Sequence, residues 1–83
     1  MAKYRKKPII IEAVQYTGDN KFEIIEFTWD IALTNIGHSH MTIPTREGYL
    51  DADVGSWIIK GVAGEFYPCK GDIFKLTYDV VGE

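Results

Sequence analysis

Apolar and polar positions alternate with two different periods along this chain. "PIIIEAVQY" (8–16) is β-branched and aromatic, has the length of a strand, and ends at the turn-forming run Thr17-Gly18-Asp19. Its alternating sets are Ile9, Ile11, Ala13 and Ile10, Glu12, Val14, Tyr16. Neither set is polar throughout, which predicts a strand partly covered on both sides. In "NKFEIIEF" (20–27) the period lengthens. Phe22, Ile25 and Trp29 fall at helical spacing, as do Ile24 and Phe27, so a short helix with a wide apolar face is expected. Asn20 stands where an N-cap accepts a backbone hydrogen bond, and Glu23 three residues on can reach back to it. The residues from Thr28 onward lower helix propensity and end the element.

Farther along, "DIALTNIGHSHMTIPT" (30–45) reads as two short strands joined around Gly37. "REG" (46–48) reads as a turn, "YLDAD" (49–53) as a short strand, and Val54-Gly55 as a second turn. In "WIIKGVAGEFYPCKGDIF" (57–74), a glycine flanks Val62-Ala63 on each side, which predicts a compact hairpin. A loop symmetric about Val62-Ala63 pairs Lys60 with Glu65, Ile59 with Phe66, Ile58 with Tyr67, Trp57 with Pro68 and Ser56 with Cys69. Trp57, Ile59, Phe66 and Pro68 then share an apolar face. Ser56, Ile58, Lys60, Glu65, Tyr67 and Cys69 share an amphipathic one. Pro68 cannot donate to a ladder, so its strand belongs at an edge or at its own end. Asp72 is placed to cap a last short helix through Tyr78, with Ile73, Phe74 and Leu76 available for the core. The expected class is therefore α+β. One small twisted, mainly antiparallel sheet of about five or six short strands carries a short helix after strand 1 and a short C-terminal helix.

Eighty-three residues hold one core and hence a single domain, 1–83, with 1–7 as a basic arm. Apolar residues at 46% and charged residues at 25% are ordinary for a folded chain. The start of the chain is basic and then apolar like a secretory leader, but Glu12 and Gln15 interrupt the apolar run. No run reaches the length of a membrane span. A single cysteine excludes an internal disulfide and fits a reducing cytoplasm. Lys3, Arg5, Lys6 and Lys7 hold four of the nine basic residues, so residues 8–83 carry five basic against twelve acidic groups. Such a body repels phosphate backbones. The arm, with Tyr4, is left as the one nucleic-acid-binding candidate, since single-strand binders combine positive charge with stacking aromatics. A solvated, solubilising terminus is the simpler reading of it.

Three sets of residues are candidates for chemistry. Cys69 with His38 or His40 could form a nucleophile–base pair, but no nucleophile motif surrounds Cys69 and no carboxylate is evidently placed to orient either histidine. A small half-buried residue on a strand accounts for Cys69 more simply. His38 and His40, two apart, could face a metal together, yet a structural zinc needs four ligands and one cysteine is present. Asp51 with Asp53 and Glu23 with Glu26 are carboxylate pairs whose simplest reading is a solvated face. "GVAGE" is followed by a strand rather than a helix and lacks the Lys-Ser/Thr of a phosphate loop. No cofactor or metal is expected, and no enzyme.

"YRKKPIIIEAVQYTGDN", "IPTREG" and "WIIKGVAGEFYPCKGDIFKLTY" resemble a family of small proteins of tailed bacteriophages and prophages, chiefly of Gram-positive bacteria. The resemblance leaves 28–40 least covered. Gly71 stands where the family pattern has proline after the Cys-Lys pair, which loosens the expected turn. What the resemblance implies is a setting and not an activity: a phage accessory protein in the cytoplasm of the bacterial host. The function expected is a non-enzymatic binding module for a host or phage protein, for itself or for a small ligand. Its nominated surface is Ile58, Lys60, Glu65, Tyr67 and Cys69 with Arg46 and Tyr49, since tyrosine beside opposed charges makes a recognition patch. A membrane partner is not expected. The alternatives are nucleic-acid binding by the basic arm and a cysteine-dependent enzyme.

Overall fold

A computed structural model describes residues 1–5, 7–34 and 39–82. The chain runs β1 (Glu12–Gln15), α1 (Lys21–Phe27), β2 (Leu33–Thr34), β3 (Met41–Thr45), β4 (Gly48–Ala52), β5 (Trp57–Lys60), β6 (Phe66–Cys69) and α2 (Gly71–Thr77). The class is α+β. The strands form two antiparallel three-stranded sheets, β1-β5-β6 and β2-β3-β4, in place of the single sheet expected. β6 packs beside β3 and β4, so the two sheets meet without sharing a ladder there.

The first strand is shorter than its apolar run. Ile9 and Ile10 are exposed, and pairing with β5 begins at Glu12 opposite Lys60. Tyr16 closes this strand: its N–H donates to the Ser56 carbonyl and its own carbonyl accepts from Gly55. Its buried hydroxyl donates to the Ser39 carbonyl at 2.6 Å, which satisfies a group that burial would otherwise penalise. Asn20 does not cap α1 with its side chain. Its Oδ1 instead accepts from the Thr17 N–H, and its Nδ2 donates to the Gln15 carbonyl and to Glu23. The polar side chain that favours the helix start thus ties the preceding turn together.

One core is built from both sheets and α1. Tyr16, Ile24, Ala32, Met41, Ile43, Ala52, Ile58 and Phe66 are buried in it, with Val14, Ile25 and Phe27 packed alongside. Phe27 meets Phe66 edge to face, ring centroids 5.5 Å apart. Phe22, assigned by its spacing to the apolar face of the helix, is exposed.

The β5–β6 hairpin is offset by one residue from the symmetric expectation. Lys60 pairs with Phe66, Ile59 with Tyr67, Ile58 with Pro68 and Trp57 with Cys69. The Gly61 N–H donates to the Glu65 carbonyl and the Gly64 N–H to the Gly61 carbonyl, with Gly64 at φ 80°. This is a three-residue loop, Val62-Ala63-Gly64, whose last position is left-handed. Because side chains alternate, the offset exchanges the β6 partners of each face. Ile58, Lys60, Phe66 and Pro68 face one way; Trp57, Ile59, Tyr67 and Cys69 face the other. Trp57 and Phe66, expected together inside, lie on opposite faces.

The face bearing Trp57 is covered by α2. Phe74 stacks on the Trp57 indole with centroids 4.3 Å apart and planes 6° from parallel, and Tyr78 follows at 5.0 Å from Phe74. Ile73 and Leu76, expected in the core, are exposed. Lys70 occupies the N-cap position without a side-chain bond, and Asp72 accepts from the Ile73 N–H inside the first turn. Gly71 has a steric reason: a Cβ there would stand 2.7 Å from the Gly55 carbonyl oxygen. Any other side chain, proline included, would push α2 away from the Val54-Gly55 turn, so close packing rather than ring rigidity fixes this corner.

Candidate functional site

At the end of α1 the backbone does something costly. Thr28 closes the helix; its buried hydroxyl donates to the Ile24 carbonyl and accepts from the Ala32 N–H. The Trp29 N–H then donates to the Glu26 carbonyl and the Asp30 N–H to the Ile25 carbonyl. That paired pattern is a Schellman motif, in which the residue after the cap is left-handed and usually glycine. Here it is tryptophan, at φ 57°, followed by Asp30 at φ 67°. Each left-handed non-glycine residue costs on the order of 1 kcal/mol or more. No core packing offsets the cost, since Trp29 is 76% exposed.

The indole held out this way borders a cleft of about 560 Å³. Thr28, Trp29 and Ile31 line one wall, Pro44 to Arg46 at the β3–β4 hairpin a second, and Lys60 with Gly64 to Phe66 of the β5–β6 hairpin a third. Lys60 places its Nζ 6.0 Å from the Trp29 ring centroid, at the outer limit of a cation–π contact. Glu65 does not neutralise this lysine. Its carboxylate folds over Gly61, where a Cβ would overlap it, and accepts from the Ala63 N–H at 3.1 Å. Among the described residues, Arg46 and Lys60 form no ion pair with a carboxylate.

The nominated residues therefore divide. Arg46, Lys60 and Glu65 come together at this cleft. Ile58 is fully buried and belongs to the core. Tyr67 and Cys69 lie on the opposite face of β6 from Lys60. Arg46, Glu65 and Tyr67 also border a smaller groove of about 330 Å³ that runs along β6 past Leu50. Tyr49 is exposed on β4, next to that hairpin. The expected Lys60–Glu65 cross-strand pair is replaced by Lys60 opposite Phe66 and Gly61 bonded to Glu65. The spacing of Trp29 places it on the helix's apolar face, whereas it is exposed. The signal that singles it out is a bulky residue where a helix end calls for glycine.

Burial pushes the Tyr67 phenol up from 10.0 to about 12, helped by its hydrogen bond with Tyr78 and by the charges of Tyr78, Glu65 and Cys69. Burial also raises the Cys69 thiol, and the Asp72 carboxylate adds to it. Its Sγ donates to the Lys70 carbonyl at 3.6 Å. A thiol held protonated is a weak nucleophile, which is the reverse of what cysteine catalysis needs. His40 lies 3.8 Å from Asp51, which also accepts from the Thr42 hydroxyl. His38 lies outside the described residues, and with it the paired-histidine reading and the turn at Gly37. Among the described residues no group of three or more ligating side chains could hold a metal, and no helix is long and apolar enough to cross a membrane. Lys3, Tyr4, Arg5 and Lys7 of the basic arm are all exposed; Lys6 lies outside the described residues.

Comparison with protein-family models, with curated proteins and with solved structures finds no match.

Proposed function

We propose that this chain is a non-enzymatic binding module, a phage or prophage accessory protein of the bacterial cytoplasm, and that it binds through the cleft beside Trp29. The observation that carries the reading is the left-handed tryptophan at the end of α1. An exposed aromatic kept at a conformational cost adds little to the fold beyond its distant contact with Lys60, so its use lies in what it meets. Around it stand Arg46 and Lys60, side chains that recognise anionic groups on a host protein, a second copy or a small ligand. The raised Cys69 thiol supports binding over covalent chemistry.

The test is a comparison of tagged full-length chains in bacterial lysate, with mass spectrometry of both proteins and small molecules. Wild type and Cys69→Ser should capture the same partner, and Trp29→Gly and Arg46→Ala should lose it. A partner held equally well by the two cleft variants would remove the cleft from the reading. Loss in Cys69→Ser alone would favour thiol chemistry.

A further inference from the structure

We infer that the Trp29 cleft takes a small planar aromatic ligand bearing an anionic group, with the ring stacked on the indole and the anion held by Arg46 and Lys60. This rests on the binding-module reading and gives it a ligand class. Three independent features converge on it.

The ring site comes from the backbone. Fixing Trp29 in the left-handed region restricts where the indole can point, so it loses little further freedom when a ring stacks on it. Ile31, Pro44 and Phe66 add apolar walls, with Thr45, Arg46, Lys60 and Glu65 as polar lining, the mixture that small-molecule sites use to bind and orient a ligand.

The anion site comes from an uneven distribution of charge. The chain is acidic, with a net charge of −3, yet this cleft brings two cations, Arg46 and Lys60, against one lining carboxylate, Glu65, and neither cation forms an ion pair among the described residues. The anion nearest in sequence to its loop, Glu65, is held by its own hairpin. Arg46 sits at the tip of the β3–β4 hairpin, exposed, with the planar donor fork that suits a carboxylate or phosphate.

The direction of the ligand comes from the far side of the same tryptophan. There Glu12, Glu23 and Glu26 border a separate concavity of about 550 Å³, again with Trp29 and Lys60. Three carboxylates behind Lys60 repel an anion on that side, so a bound anion is turned toward Arg46. They also oppose a long polyanion, since successive phosphates would pass the acidic side. One anionic group on one ring system satisfies both flanks.

Two sources share this chemistry, a nucleoside monophosphate and an aromatic carboxylate. Full-length labelled protein is titrated with adenosine monophosphate, indole-3-acetate, adenosine and inorganic phosphate, following the backbone and indole N–H signals by NMR. At least one ring-bearing anion should shift the Trp29 indole signal and those of Arg46 and Lys60. It should bind about tenfold or more tightly than adenosine or phosphate alone. Which of the two does so identifies phosphate or carboxylate as the anion. Trp29→Gly and the double change Arg46→Ala/Lys60→Ala should each weaken it about tenfold or more.

Equal affinity for adenosine and its monophosphate would eliminate the anion site. Equal affinity of wild type and Trp29→Gly would eliminate the ring site. No shift at Trp29 with any probe up to ~10 mM overturns the ligand class altogether. In that case a lysate partner that still distinguishes wild type from Trp29→Gly leaves the binding-module reading standing, and its absence takes that reading down as well.

Discussion

The two faces of the β5–β6 hairpin bury side chains by different means. On one face Ile58 and Phe66 enter the main core with Tyr16, Ile24, Met41 and Ile43, residues brought in from α1 and both sheets. The polar groups buried there are bonded: Tyr16 to Ser39, and Thr28 to Ile24 and Ala32. On the other face Ile59 is buried outside that cluster, and the half-buried Trp57 meets a single short helix through one aromatic stack. α2 has no fully buried residue, and among the described residues the buried indole N–H of Trp57 has no hydrogen-bond partner. An unmet donor of this kind costs about 1–3 kcal/mol. The main core thus unites most of the chain, whereas the α2 layer is a local addition that is expected to open separately.

The largest expected effect tests that contrast directly. Ile58→Ala leaves a void in a core closed on every side, and should cost about 2–5 kcal/mol, most of the stability of a domain this small. Urea unfolding measures it; a loss below ~1 kcal/mol would mean that the core relaxes around the hairpin. Next comes Gly71→Ala, which sets a methyl against the Gly55 carbonyl and should cost about 1–3 kcal/mol. The same change distinguishes close packing from simple helix propensity, which by itself would make alanine stabilising.

Phe74→Ala should cost about 1–2 kcal/mol, the worth of a stacked ring that is only half-buried. Hydrogen exchange should quicken in α2 while Ile24 and Ile43 stay protected. Uniform loss of protection would join the two faces into one cooperative unit.

Smaller still is Tyr67→Phe, which removes the bond with Tyr78 and should cost about 1 kcal/mol. The pH dependence has a definite sign. The folded phenol titrates near 12 and the unfolded one near 10.0, so between these values the folded state holds a proton that the unfolded state has lost. Stability from this group is complete below pH 10.0 and declines as pH rises toward about 12. Tyr67→Phe should flatten that decline, and an unchanged profile would place the cause elsewhere.

The last effect has the opposite sign. Trp29→Gly relieves the left-handed strain and should leave the protein as stable as wild type or up to about 1 kcal/mol more so, although the binding proposed for the cleft is lost. A destabilised Trp29→Gly would show that the indole serves the fold after all.

Local chemistry made much of this legible. The turns at Thr17-Gly18-Asp19, 46–48 and Val54-Gly55 coincide with glycines at positive φ: Gly18, Gly48 and Gly55. The pairing of β3 with β4, and the hairpin centred near Val62-Ala63, follow from the same signals. What was missed by one residue, the hairpin register, was also local: Gly64 as the left-handed end of a three-residue loop was a readable alternative to a symmetric four-residue one. The slip mattered because strand period is two, so it moved Tyr67 and Cys69 away from Lys60 and dispersed the nominated surface.

The sequence by itself determined where the chain turns, which segments run as strand or helix and the concentration of basic residues in 1–7 ahead of an acidic remainder, because these depend on neighbours a few residues apart. Tertiary structure alone decided that six strands divide into two sheets, and that Trp57 packs on α2 while Phe66 enters the core. It also decided that Arg46, Lys60 and Trp29, far apart in the chain, share one cleft. Those outcomes depend on contacts between distant segments, whose free energies are set by packing and burial and leave no periodic mark on the residues that make them.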